Sequence, residues 1–206
     1  MKIRFIAFVL ISLVFTCKSV YADSPLTSTN ISKAYQDLSI VIKATEAEGI
    51  LTNELIEYLL NEENPIANKI ALINELGWDI DGKNNAAIFL DYLIQKQGYG
   101  DQEDFLNNGK DFELLSMAYL KALDDYFNVS EALIYAERAL SKNSESYTYN
   151  IITALIEAQI ATRGDWCKVY KSTDQVRTKT SLETDMRDEA VTIIFDYMDS
   201  YKKYCN

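Results

Sequence analysis

Apolar residues recur every three or four positions along nearly all of residues 31–206, and this spacing constrains the fold more than any other feature. One stripe contains Ile66, Ile70, Ile73 and Leu76. Such spacing places the apolar side chains on one face of an α-helix. No pair of strand-like segments is joined by an Asn-Gly or similar hairpin turn. The pattern therefore predicts an all-α fold.

The periodic segments give the predicted helix limits. They lie near residues 31–48, 52–61, 65–76, 84–96, 112–126, 129–142, 147–162, 165–178 and 182–203. Residues 97–111, QGYGDQEDFLNNGKD, are polar and contain glycine, so they are predicted to form an inserted loop. The length suits one helical domain over residues 31–206, preceded by a short linker at 23–30.

The segment LSMAYLKALDDYFNVSEALIYAERAL, residues 115–140, has small and aromatic residues at defined helical positions. The alanines at 132 and 139 lie seven positions apart on one helix face, where a small side chain lets a neighbouring helix approach closely. Leu115, Tyr119, Ala132, Tyr135 and Ala139 together resemble the tetratricopeptide repeat, most closely its Sel-like subclass. The resemblance implies antiparallel helix pairs stacked as a short solenoid that binds another protein. An irregular α bundle is the alternative.

The first 22 residues have the features of a secretory signal peptide. Two basic residues precede an apolar run from Phe5 to Thr16, and a small-residue signal ends at Ala22. We expect cleavage after Ala22 and export to the bacterial periplasm or exterior. The bulky Phe15 disfavours a lipid anchor on Cys17. No later apolar run approaches the roughly 20 residues that a membrane-spanning helix needs.

The mature chain is strongly acidic. Cleavage would remove three basic residues and no acidic ones from a chain of net charge −11, which leaves −14. A negative field repels nucleic acid and anionic membrane surfaces, so neither is an expected partner. The acidity is compatible with simple solubility, and also with a basic protein partner.

Two cysteines, Cys167 and Cys205, remain after the predicted cleavage. An even pair in an exported protein is usually bridged, so a disulfide is predicted between them. Their wide separation does not match the close pair of a redox motif.

The chain contains no histidine. This absence excludes a serine–histidine–acid triad, a histidine-ligated zinc site and a histidine-bound haem. No nucleotide-binding loop is present either, and we expect no cofactor. Paired acids are common, but a glycosidase needs two carboxylates facing one another across a cleft, which a sequence does not reveal.

The segment LGWDIDGKNN, residues 76–85, resembles a calcium loop at its first two ligands, Asp79 and Asp81. The remaining positions do not fit, because Lys83 and Leu90 stand where further ligands are required. A turn between two helices explains the segment better. Gly77 and Gly82 would end one helix and supply a positive φ angle, Trp78 would pack beneath the turn, and Asn84 or Asn85 would cap the next helix.

These observations favour an exported protein-binding module over an enzyme. The predicted contact surface is the first helix of a central pair and the neighbouring loop, with Tyr119, Tyr126, Asp124, Asp125, Asp101, Glu103 and Asp104 as its residues. Tyrosine suits an interface because it combines a large ring with a hydroxyl group. Two alternatives stay open: an inhibitor or immunity-type protein against a basic secreted enzyme, and a carboxylate-dependent hydrolase of cell-wall sugars.

Overall fold

The computed structural model describes residues 24–205, and all of the regular structure in that range is helical. The α-helices of that range are α1 Ser39–Glu46, α2 Asn53–Leu60, α3 Ile66–Leu76, α4 Asn85–Tyr92, α5 Gln102–Asn108, α6 Asp111–Asp124, α7 Ser130–Lys142, α8 Tyr147–Ala161, α9 Trp166–Arg177 and α10 Asp188–Met198. Two 3-10 segments, Ile31–Tyr35 and Asp199–Tyr204, lie near the ends, and a π segment, Leu93–Gln97, continues α4. The predicted all-α fold is confirmed for these residues. The predicted signal peptide lies outside them.

Helices α6 and α8 form the centre of the domain. Most of their residues are buried, including Leu115, Tyr119, Ile152 and Leu155. A helix that is apolar on nearly all sides is stable only when other helices surround it. Helix α7 packs between them, α9 packs on α8, and α3 and α4 pack on α6. Successive helices from α6 to α9 are therefore neighbours in space.

The two ends of the described chain meet. The 3-10 segment Ile31–Tyr35 packs on α10, where the backbone N–H of Arg187 donates to the Tyr35 hydroxyl at 3.0 Å. The Arg187 guanidinium also donates to the carbonyl of Ala34 at 2.8 Å. A continuous helix would use that carbonyl for the N–H of Leu38. The predicted helix 31–48 is consequently broken into a 3-10 segment and α1.

The last helix begins at Asp188, six residues later than predicted. The chain before it is extended at Glu183, whose N–H donates to Glu145 and whose carbonyl accepts from Tyr147. Asp185 then accepts from the N–H and hydroxyl of Thr148, both at 2.8 Å. Glu183 and Asp185 thus accept hydrogen bonds from the free backbone amides at the start of α8. Because these contacts require an extended chain, the last helix does not begin until Asp188.

The predicted loop at 97–111 contains a helix of its own, α5. Asp101 caps it by accepting from the N–H of Asp104 at 2.8 Å. Phe105 fixes it to the domain, because its ring stacks on Tyr135 of α7 with the ring centroids 5.9 Å apart. Because Phe105 is apolar and packs on the domain, this stretch forms a docked helix and not only a polar loop.

The predicted disulfide is confirmed. The sulfur atoms of Cys167 and Cys205 lie 2.19 Å apart and their Cα atoms 4.7 Å apart. Beside the bridge, Trp166 stacks on Tyr201 with the centroids separated by 5.8 Å. The bond and the stacked rings join the final 3-10 segment to the start of α9.

Within residues 24–205, no helix has the length and apolar character that crossing a membrane requires.

Candidate functional site

Three of the predicted contact residues lie in the interior. Tyr119 is 0% exposed, Tyr126 3% and Asp124 9%. The sequence analysis predicted that they lie on an exposed contact surface, and their burial corrects it. In this fold they lie beneath the surface.

Tyr119 anchors the beginning of the domain. Its hydroxyl accepts a hydrogen bond from the Asn74 side chain at 2.8 Å, and burial raises the pKa of the phenol. The same amide donates to the carbonyl of Thr29 at 3.1 Å, and its oxygen accepts from the N–H of Ser32 at 2.9 Å. Tyr119 is therefore part of a network that joins α6, α3 and the first described residues.

Tyr126 packs against the turn that follows α3. Its ring meets Trp78 edge to face, with the centroids 5.2 Å apart. Trp78 thus packs beneath the turn as predicted. The neighbouring Phe127 is 60% exposed, so at this point the chain turns one aromatic ring inward and the next outward.

The turn at residues 77–84 has the predicted backbone. Gly77 and Gly82 have φ angles of 68° and 83°, and the N–H of Asp81 donates to the Asp79 side chain at 3.0 Å. Among the described residues no group of three acidic, histidine or cysteine side chains is arranged to hold a metal ion. The segment serves as a connection between α3 and α4.

The cap of α4 differs from the prediction. Neither Asn84 nor Asn85 caps it; the Asp124 carboxylate at the end of α6 accepts from the N–H of Ala86 at 2.7 Å. Burial raises the pKa of Asp124, while the backbone hydrogen bonds and Lys83 oppose that rise. The Asn85 side chain is free to accept from Leu51 instead, at 2.9 Å.

The remaining predicted acids lie at the surface. Asp101, Glu103 and Asp125 are exposed, and Asp104 is half-buried. Asp104 accepts from the N–H of Gly100 at 2.8 Å, and this bond lowers its pKa. Its carboxylate therefore stabilises the start of α5, as the Asp101 carboxylate does, and Asp104 is the less exposed of the two.

A hydrogen bond places the acids of α5 near those of the α6–α7 turn. The Gln102 side chain, between Asp101 and Glu103, donates to Glu131 at 2.7 Å. Glu131 and Asp125 line the same small cleft of about 250 Å³. We call Asp101, Glu103, Asp125 and Glu131 the acidic face.

A larger cleft, of about 770 Å³, lies at the opposite end of α6. It forms where the α2–α3 turn, the start of α6 and the α7–α8 turn meet, and we call it the Lys69 cleft. Lys69 lines it although this side chain is only 1% exposed. The sequence analysis missed this site. A signal was present, because Lys69 interrupts the apolar stripe of α3 three positions after Ile66.

Three carboxylates line the Lys69 cleft, and the hydrolase hypothesis requires two carboxylates that face one another across a cleft. Glu62 is ion-paired with Lys110. Asp111 accepts from the Tyr149 hydroxyl at 2.9 Å and from the Asn143 side chain at 3.2 Å. Burial and the neighbouring Asp111 raise the pKa of Tyr149, so this phenol remains a hydrogen-bond donor. Two of the three carboxylates thus already have partners within the protein.

Comparison of the chain with protein-family models, with curated proteins and with solved structures finds no match.

Proposed function

We propose that this chain is an exported protein-binding module that contacts a basic protein through the acidic face. The single observation that carries the proposal is the convergence of exposed carboxylates from separate parts of the sequence. Asp101 and Glu103 come from the start of α5, Asp125 from the α6–α7 turn, and Glu131 from α7. Export rests on the predicted signal peptide.

The local charge balance supports a basic partner. Lys121 forms an ion pair with Glu131, with the charged atoms 3.0 Å apart, and this pair partly neutralises one of the four carboxylates. Asp125, Glu103 and Asp101 remain exposed on a chain that is acidic overall. Exposed charges of one sign attract an oppositely charged partner over several ångströms and raise its association rate.

The repeat-like architecture is part of the same proposal. The packing of each helix from α6 to α9 on the next one supports two tetratricopeptide-like pairs. The contact between Arg187 and Tyr35 brings the first and last described helical segments together, whereas an open solenoid keeps its first and last helices apart. The proposed arrangement is therefore two repeat-like pairs inside a closed helical bundle.

A paired charge-neutralisation experiment tests the binding proposal. Wild-type protein and the double variant Glu103→Gln, Asp125→Asn are used to capture proteins from the envelope of an exporting bacterium. The matched control, Glu57→Gln with Asp196→Asn, removes the same charge from exposed positions elsewhere. We expect association with the captured basic protein to slow severalfold in the first variant at low salt, and less at high salt.

Carbodiimide coupling makes the result specific to the surface, because it joins a carboxylate directly to a lysine of the partner. Cross-links that map to Asp101, Glu103 or Asp125 would support the acidic face. Equal association of both double variants, with cross-links elsewhere, would overturn it. If the captured protein is a basic enzyme whose activity falls on binding, the inhibitor-type function is the appropriate form of the proposal.

A further inference from the structure

The Lys69 side chain is almost fully buried, and its ammonium group has no polar partner among the described residues. Lys69 is 1% exposed, and its side chain forms no hydrogen bond or ion pair with any other residue of the described range. Its Nζ atom lies 3.7 Å from the centroid of the Phe112 ring. A ring face attracts a cation, but it does not replace the hydrogen bonds that water gives to an ammonium group.

Other positive groups surround the same space. Helices α3 and α6 both begin at the Lys69 cleft, where Ile66 and Asp111 line it. The first turn of a helix carries partial positive charge, and α3 has no side-chain cap. Lys110 and Lys142 line the cleft from two other elements. Glu62, Glu63 and Asp111 line the cleft as well, and Lys110 is ion-paired with Glu62, so Lys142 and the start of α3 are the positive groups that accompany Lys69.

The acidic groups near Lys69 do not cancel its charge by contact. Burial lowers the pKa of Lys69 to about 8, while Asp111, Glu113 and Glu62 oppose that shift and Lys110 adds to it. Glu113 accepts from the Tyr99 hydroxyl at 2.6 Å and from the N–H of Lys110 at 2.9 Å. These carboxylates therefore hold other partners, and at pH 7 the Lys69 ammonium remains mostly charged.

We propose that the Lys69 cleft binds a small ligand through a carboxylate or phosphate group, with the Lys69 ammonium as the innermost contact. The start of α3 and Lys142 would face the same anionic group. The Asn143 and Tyr149 side chains, both hydrogen-bonded to Asp111, also line the cleft. This site is at the other end of α6 from the acidic face and is independent of the proposed protein partner.

Nuclear magnetic resonance of lysine labelled with ¹³C at Cε tests the inference in the intact wild-type protein. Inorganic phosphate is titrated in one arm and acetate in another, with sodium chloride at matched ionic strength as the control. A bound anion favours the ammonium form, so we expect a saturable shift of the Lys69 signal. The pKa of Lys69 should rise by about one unit for each tenfold preference of the anion for that form.

The two arms distinguish the ligand chemistry. A response to phosphate alone assigns a phosphoryl group, a response to acetate alone assigns a carboxylate, and a response to both assigns either oxyanion. If neither anion changes the signal or the pKa beyond the effect of chloride, the inference is wrong. This measurement needs no variant and does not depend on capture of a protein partner.

Variants identify Lys69 as the contact. Lys69→Met keeps the apolar stem and removes the charge, and should weaken anion binding by about tenfold or more, as expected for one charge-assisted hydrogen bond. Lys33→Met is the control, because that lysine is exposed on the first 3-10 segment, next to the far end of α3. Persistence of anion-induced shifts at Tyr149 and Lys142 in folded Lys69→Met would also overturn the inference.

Discussion

The carboxylate of Asp124 accepts a hydrogen bond from the backbone N–H of Ala86 at 2.7 Å, so the end of α6 caps the start of α4. The backbone carbonyl of Asp124 accepts from the N–H of Lys83 at 3.0 Å. One residue thus fixes both the turn after α3 and the helix that follows it. Asp124 was predicted to contact a partner, but it is almost fully buried and its role in this fold is structural.

Removing the cap should therefore destabilise the domain. We expect Asp124→Ala to lower the free energy of unfolding by about 1–3 kcal/mol, because the Ala86 amide is left buried without an acceptor. Asp124→Asn keeps an oxygen in the same place and should lose less. Urea unfolding followed by circular dichroism measures both. Equal losses in the two variants would show that the charge, and not the acceptor, is what stabilises this junction.

Gly82 should tolerate a side chain less well than Gly98. Both have a positive φ angle, 83° and 86°, so alanine is strained at either position by about 1 kcal/mol. At Gly82 an added Cβ would also lie 3.1 Å from the Asp124 carbonyl, whereas nothing lies within 4 Å at Gly98. The expected order of melting temperatures is wild type, Gly98→Ala, then Gly82→Ala. The reverse order for the two variants would contradict the packing of this turn.

The Asn74 side chain should contribute more than the Tyr119 hydroxyl that it contacts. Asn74→Ala removes three hydrogen bonds, those to the N–H of Ser32, the carbonyl of Thr29 and the hydroxyl of Tyr119, and should cost about 3 kcal/mol. Tyr119→Phe removes one acceptor and should cost about 1 kcal/mol. Urea unfolding of both single variants and the double variant gives their coupling. Additive losses would mean that the hydrogen bond between the two side chains contributes nothing to stability.

Reduction of the Cys167–Cys205 bridge should loosen the end of the chain first. The bridge spans 38 residues, and in the chain-entropy model its loss costs about 4 kcal/mol. Hydrogen exchange with mass spectrometry should show faster exchange at 199–204 and in α10, while α6 changes least. Uniform acceleration across all helices would instead indicate that the bridge stabilises the domain only globally.

Lys69→Met should be more stable than the wild type at pH 7 in a buffer without phosphate or carboxylate. The folded pKa is about 8, below the ordinary value of 10.5, so the unfolded state binds more protons between those values. Wild-type stability therefore gains as pH rises through this window, relative to the variant, which has no such titration. Urea unfolding of both proteins between pH 7 and pH 9.5 should show their difference shrinking. A constant difference would mean that Lys69 titrates alike in both states.

The apolar stripes of the sequence predicted the helical class and most of the helix limits. The four helices from α6 to α9 lie within two residues of the predicted ranges. Each of them buries an apolar face, and the spacing of the apolar residues on that face is visible in the sequence of the helix itself. The disulfide was also predictable, since the chain offers one cysteine pair after the predicted cleavage. The break between Tyr35 and α1 was not, because the group that causes it, Arg187, lies about 150 residues away in sequence.

The sequence by itself determined an acidic, all-helical chain with a bridged end, and only the tertiary structure decided which polar groups are buried. Local periodicity does not state how helices pack, so it could not reveal that Asp124 is buried while Asp125 is exposed. Lys69 was not singled out from the sequence, because its burial depends on Phe112 of α6, whose ring centroid lies 3.7 Å from the Lys69 Nζ atom. Burial and the cost of an unpaired charge depend on contacts between residues far apart in sequence, and the fold alone creates them.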